Sequence, residues 1–201
     1  SRWAQLEAVV GAEPRIKQIT EDLIKHFDTR TKTQPGKAMI VCMSREICVK
    51  FYEVLRKLKP ELHDDELLKG QIKIVMTASA SDPKDFQPHH TNRLQKKDLE
   101  KRFKDPSDPL KIVIVRDMWL TGFDAPCLST MYVDKPMQGA NLAQAIARVN
   151  RVFGEKPGGL IVDYIGIAPQ LKEALASYTN SKGRGKPTID TTEALKILEE
   201  K

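Results

Sequence analysis

Lys37-Ala-Met-Ile-Val-Cys-Met43 is a short, nearly continuous apolar run, the pattern of a strand buried on both faces. Ser44 can cap a following helix, in which Ile47, Phe51, Val54, Leu55 and Leu58 form one stripe ended by Pro60. The same alternation continues along the chain. Residues 72–76, 112–115, 130–133 and 160–164 read as four more strands. Leu94, Leu99 and Phe103 mark a basic helix stopped by Pro106, and a further helix begins near Pro169. Strands alternating with helices imply an α/β three-layer sandwich with a mainly parallel central sheet. In such sheets ligands bind beyond the carboxyl ends of the strands. The loops after Met76 and Val115 emerge at that edge. The loop of residues 77–92 is polar and longer than a simple connection requires.

The flanks are simpler. Pro14 suits a first helical turn, and Ile16, Ile19, Leu23 and Phe27 repeat at helical spacing, so residues 1–30 form a leading helical segment. A polar stretch at 29–36 separates it from a main domain at 37–180. Ser181-Lys-Gly-Arg-Gly-Lys-Pro187 opens a basic, glycine-rich linker at 181–201, with a further helix starting at Thr192.

Chemistry concentrates in Gln144-Ala-Ile-Ala-Arg-Val-Asn-Arg151. On a helix each residue turns about 100° and rises about 1.5 Å, so Gln144, Arg148 and Arg151 fall within roughly 60° of arc. Leu142, Ile146 and Val149 lie opposite and can bury. Guanidiniums stay charged and bind phosphate oxygens through a fork of donors, which suits this stripe to a nucleotide. Arginines three apart also occur on ordinary solvated helices. The octet, however, carries no acidic residue at pairing distance. It also follows, by about twenty residues, the turn Leu120-Thr-Gly-Phe-Asp124-Ala-Pro126. Gly122 allows close backbone approach there. Asp124 could accept from a ribose hydroxyl, orient an arginine, or simply cap the turn.

Arg116-Asp-Met-Trp-Leu-Thr-Gly-Phe-Asp-Ala-Pro126 resembles motif V of superfamily 2 helicases, and the octet resembles their motif VI. More narrowly, residues 37–163 resemble the second motor lobe of the R subunit of type I restriction enzymes, and the likeness extends to residues 3–15. Ala-Ser-Ala-Ser-Asp-Pro83 and Met-Tyr-Val-Asp-Lys-Pro-Met137 carry it alongside the two motifs. The resemblance implies a RecA-like helicase C-terminal lobe of the P-loop NTPase fold. It implies that Arg148 and Arg151 are arginine fingers and that Gln144 couples nucleotide to the rest. It places Gly122 and Asp124 at ATP. Thr77, Ser79, Ser81, Arg116 and Thr121 become DNA contacts, although spacing alone fits a plain loop at 77–81 equally well. Many helicases open motif V with Thr where this chain has Arg116, which can also grip a phosphate.

Composition bounds these readings. The chain has 201 residues, 40% hydrophobic and 30% charged, with net charge +6 and pI near 9.2. It is long enough for one sizeable core. The charge permits a polyanion partner without requiring one. No apolar run approaches the roughly 18 residues of a membrane span, and no secretory leader is evident. The first residue is not Met, so a piece of a longer protein is expected, and a cytoplasmic location is expected separately. Cys42, Cys48 and Cys127 form no Cys-x-x-Cys pair and read as packing residues. His63-Asp64-Asp65-Glu66 and His89-His90 read as solvated loops, not metal sites.

No Gly-x-x-x-x-Gly-Lys-Ser/Thr cradle exists, and no Asp-Glu pair ends an apolar strand. Pro35-Gly36-Lys37 precedes a strand, and Ala38 stands where a magnesium-binding hydroxyl would be. The chain therefore carries half of an ATP site. The resemblance implies that ATP and Mg2+ are held mainly by a first motor lobe and that a nuclease domain of the same chain cuts double-stranded DNA. It also implies methyltransferase and specificity subunits as partners. The alternatives are a lobe of another superfamily 2 helicase, or a non-catalytic DNA- or protein-binding module with a motor fold.

Overall fold

Twelve residues, 116–127, join two parallel strands here without a helix, and the sheet explains how. A computed structural model describes residues 1–149 and 158–166, with positions 169, 173 and 176. Arg151, the linker at 181–187, the final helix and most of the helix expected from Pro169 lie outside the described residues.

Helices α1 (Arg2–Val10) and α2 (Glu13–Thr33) lead into β1 (Lys37–Cys42), α3 (Arg45–Leu58) and β2 (Ile72–Val75). Helix α4 (Arg93–Lys104), β3 (Ile112–Val115), β4 (Leu128–Asp134), α5 (Gly139–Val149) and β5 (Leu160–Asp163) follow. The strands form one sheet in the order β2-β3-β1-β4-β5, and every pairing is parallel. The five expected strands are all present.

Residues alternate between two cores, as strand geometry requires. Ala38, Ile40, Cys42, Ile74, Ile114 and Tyr132 pack with α2 and α3 on one face. Met39, Val41, Val113, Val115 and Met131 pack with α4 and α5 on the other. Three layers result. Residues 116–127 contribute Trp119, Leu120, Phe123 and Ala125 to the second core, so an apolar loop covers the sheet where a crossover helix would.

Local chemistry sets the helix ends. Ser44 Oγ accepts from the Ile47 amide at 3.2 Å, the cap expected at α3. Asn92 and Gln95 form a reciprocal capping box at α4. Three expectations change. Helix α2 runs on to Thr33, shortening the polar separator. Leu94 is 71% exposed and Leu58 is 38% exposed, so neither belongs to its proposed stripe. The loop after β2 contains a 3-10 turn at Lys84–His89 that buries Phe86.

Polar contacts tie α2 to β4. Arg15 makes a bidentate pair with the buried Asp134 at 2.6 and 3.0 Å and donates to the carbonyls of Val10 and Tyr164. His26 Nδ1 hydrogen bonds the Tyr132 hydroxyl at 2.7 Å, and Arg30 Nε donates to Thr130 Oγ1 at 2.9 Å. Thr130, Tyr132 and Asp134 alternate along β4, so all three meet the helix from one face.

Gly159 fixes the far end of α5. A Cβ built there would lie 2.0 Å from the Val149 carbonyl oxygen, one residue beyond Arg148. Backbone cannot yield as a side-chain tip does, so overpacking costs about 1–3 kcal/mol or more. Gly159→Ala is expected to lower the melting temperature by several degrees, and an unchanged thermal transition would show that this approach is relaxed in solution.

Candidate functional site

The strand ends gather the site. Val75 pairs with Val115 across β2 and β3, so the loops carrying Thr77 and Arg116 leave the same edge from neighbouring strands. Thr77, Ser79, Ser81 and Arg116 are exposed there; Thr121 and Gly122, further along the second loop, are also exposed, and Asp124 is half-buried.

The loop after β2 is stapled. Asp82 accepts from both terminal nitrogens of Arg45 at 2.7 Å, from the Ser79 amide at 2.8 Å and from the His90 ring at 2.9 Å. Arg45 holds the Asp82 carboxyl well below the usual carboxylate range. The Ser81 amide turns to Ser79 Oγ at 3.4 Å, and the two serine hydroxyls pair at 3.0 Å. The amides of Ser79 and Ser81 are thus engaged within the loop. What it can offer a phosphate is Thr77 and the hydroxyl hydrogen that the serine pair leaves over. Arg116 ion-pairs with Asp117 at 3.1 Å, while Lys135 donates to the Arg116 carbonyl at 3.0 Å and pairs with Asp117.

The glycine of the Gly-Phe-Asp turn has a backbone reason: Gly122 has a φ of +65°, and among the described residues nothing lies within 4 Å of a Cβ placed on it. Trp119 shares this region with φ of +68°, the one non-glycine residue with positive φ among those described. Such a conformation costs on the order of 1–3 kcal/mol. Trp119 stacks on Phe123 with centroids 4.4 Å apart and planes 2° apart, and Phe103 of α4 stacks on Trp119 at 5.7 Å. Each aromatic pair contributes about 0.5–1.5 kcal/mol beyond area burial, enough for the two to offset the strain. Sequence reading missed this stack because its members, though aromatic, follow no period.

On α5, Leu142, Ile146 and Val149 are buried as expected, while Gln144 is exposed and Arg148 half-buried. The Arg148 Nε is buried and has no hydrogen-bond partner among the described residues. A buried donor left unmade costs about 1–3 kcal/mol, more when charged. The helix shares its core with Phe123 and Ala125, so residues 144–149 and the Gly-Phe-Asp turn cover the same face of the sheet.

The residues set aside from chemistry have structural partners. Lys37 is buried, donates to the Arg102 carbonyl at 2.8 Å and lies over the Phe103 ring; burial pushes its pKa down. Cys42, Cys48 and Cys127 are buried thiols, and Cys127 Sγ donates to the Phe103 carbonyl at 3.1 Å. Among the described residues no three His, Cys, Asp or Glu gather for a metal, and no helix is long and apolar enough to cross a membrane.

The family model for type I restriction enzyme subunit R domain 3 matches residues 84–166. The type I restriction enzyme HindI endonuclease subunit of Haemophilus influenzae is 54% identical over 187 residues, 92% of this chain. This chain belongs to the R-subunit family of type I restriction enzymes. A Methanocaldococcus jannaschii relative named as the MjaIXP endonuclease subunit is 48% identical over 179 residues, 89% of the chain. The chain spans 18% and 16% of the lengths of these two R subunits. In fold, a fragment of an HsdR subunit from Vibrio vulnificus YJ016 matches with a TM-score of 0.63 at 18% identity, over 91% of this chain and 32% of that one. That likeness is one of fold, an α/β sandwich in which helices cover both faces of a parallel sheet.

His89 gives the β2 loop a pH signature. It packs edge-on against Tyr52 at 4.6 Å, and burial pushes its pKa down to about 4. Below pH 6.5 the unfolded chain takes up a proton that folded His89 refuses until about pH 4. Stability present above pH 6.5 is therefore lost as pH falls towards 4. His89→Gln should flatten that part of the melting-temperature profile, and parallel profiles for the two proteins would contradict this origin.

Proposed function

We propose that this chain is the lobe of an R subunit that completes an ATP site across a cleft, with hydrolysis driving double-stranded DNA translocation before endonucleolytic cleavage. The observation that carries the reading is the buried Nε of Arg148, without a hydrogen-bond partner among the described residues, on a helix sharing its core with the Gly-Phe-Asp turn. A cationic donor in that state suits the charge of a transferring phosphoryl group, and such an arginine is worth about 10³–10⁵ in kcat.

The roles divide by residue. Arg148 and Arg151 reach the nucleotide's phosphates, and Gln144, exposed on the same helix, links nucleotide to the rest of the motor. Asp124 accepts from ribose or orients an arginine, with Gly122 shaping the turn. Thr77, Ser79, Ser81, Arg116 and Thr121 line a sheet edge that meets DNA phosphates. This chain has no phosphate cradle, so ATP and Mg2+ are held by a first motor lobe of the same protein, which also supplies a nuclease domain. The Mg2+ ion would neutralise phosphate charge during transfer. Methyltransferase and specificity subunits complete a cytoplasmic restriction complex. Splitting the site between two lobes couples cleft closure to chemistry.

In the intact R subunit, Arg148→Ala and Arg151→Ala are each expected to reduce DNA-dependent ATP turnover by about a thousandfold, while the isolated chain hydrolyses no ATP. Near-normal turnover in both intact variants would sink the assignment.

A further inference from the structure

We infer that Trp119 and Phe123 are positioning residues: their stacked rings hold the Thr121–Asp124 turn at the spacing from α5 that catalysis needs. The inference rests on the proposed motor function and adds a role that the helicase-like motifs alone do not assign. Residues 116–127 form a parallel crossover with no helix, so no backbone ladder fixes the turn. Its neighbours fix it instead. Trp119, Leu120, Phe123 and Ala125 are buried, whereas Thr121 and Gly122 between them are exposed. The turn is displayed to solvent by flanks sunk into the core.

The rings have defined partners in each other and on α4. Trp119 and Phe123 lie 4.4 Å apart with planes 2° apart, and Phe103 of α4 stacks on both at 5.7 and 6.2 Å. The Lys104 amine lies 4.9 Å over Phe123, so α4 grips the stack twice. Leu142, Ile146 and Val149 of α5 belong to the same core. One packed unit therefore joins the turn bearing Asp124 to the helix bearing Arg148. Trp119 adopts a φ of +68° with a side chain that gains nothing from that backbone region, which marks a conformation imposed by the stack and held for its geometry.

Loss of the stack should appear in turnover before it appears in nucleotide binding. The phosphate cradle lies outside this chain, so groups on the turn are met only when the cleft closes. Misplacing such groups by about 1 Å can cost on the order of a hundredfold. Trp119→Ala, Trp119→Phe and Phe123→Leu would be made in the intact R subunit, and DNA-dependent ATP hydrolysis and melting temperature measured. Folded Trp119→Ala and Phe123→Leu are expected to lose about tenfold or more in kcat, with KM for ATP changed by less than about threefold. Trp119→Phe, which keeps a ring to stack, should restore most of kcat. If Trp119→Ala does not fold, Phe123→Leu is read by the same criteria. A lowered melting temperature with wild-type kcat in the folded variants overturns the positioning role. If Arg148→Ala is inactive in the same assay, the motor reading survives that result; normal turnover in both arginine variants would remove the motor reading itself.

Discussion

Two-sided burial of a parallel sheet is the constraint from which the rest follows. Strand β1 lies at its centre, between β3 and β4, and every residue from Ala38 to Cys42 is fully buried. Parallel strands need a crossover at each step, and each crossover must bring an apolar surface back over the sheet. Helices α3, α4 and α5 do so between their strands. Between β3 and β4 a loop does it, using aromatic rings in place of a helix. Polar chemistry is thereby driven to the carboxyl ends of the strands, where the backbone turns away from the core.

The charged groups divide accordingly. Arg102 is buried and fully committed: it donates to the carbonyls of Leu67, Lys69 and Gly70 and pairs with Asp108. Arg15 is committed to Asp134, and Arg45 to Asp82. In each case the cost of desolvating a guanidinium is offset by several hydrogen bonds. The Arg148 Nε has no such return among the described residues. That contrast, more than net charge or the number of arginines, separates a structural arginine from one suited to meet an external anion.

Much of this was legible in the sequence, because apolar runs bounded by Gly, Pro and Ser carry strand positions directly. The strand from Ile112 to Val115 matches to the residue, and Ser44 caps the helix expected of it. The buried stripe Leu142, Ile146 and Val149 followed from the helical period. Other features depend on contacts distant in the chain and leave no local trace. Arg45 and Asp82 are thirty-seven positions apart, and the carboxylate that Arg45 fixes also takes up the Ser79 amide, which a loop reading leaves open. Phe86 is a single apolar residue in a polar stretch, too little to announce the 3-10 turn it anchors. The positive φ of Trp119 is illegible because nothing about Trp suggests it. Gly122 also meets a conformational demand, a positive φ, that its place in the motif does not announce. Leu94 has the spacing of a core residue and the exposure of a surface one, since a single helix stripe cannot say where the neighbouring layer ends.

The polar rungs between α2 and β4 give the lobe a mechanical property. Arg15, His26 and Arg30 are spread over four turns of one helix and grip alternate residues of a single strand, while Asp22 accepts from the Tyr164 hydroxyl beside β5. Apolar contacts can slide, but directional bonds at several heights resist both shear and rotation. A load applied along α2 is consequently borne by the sheet itself, so helix and sheet move as a single lever.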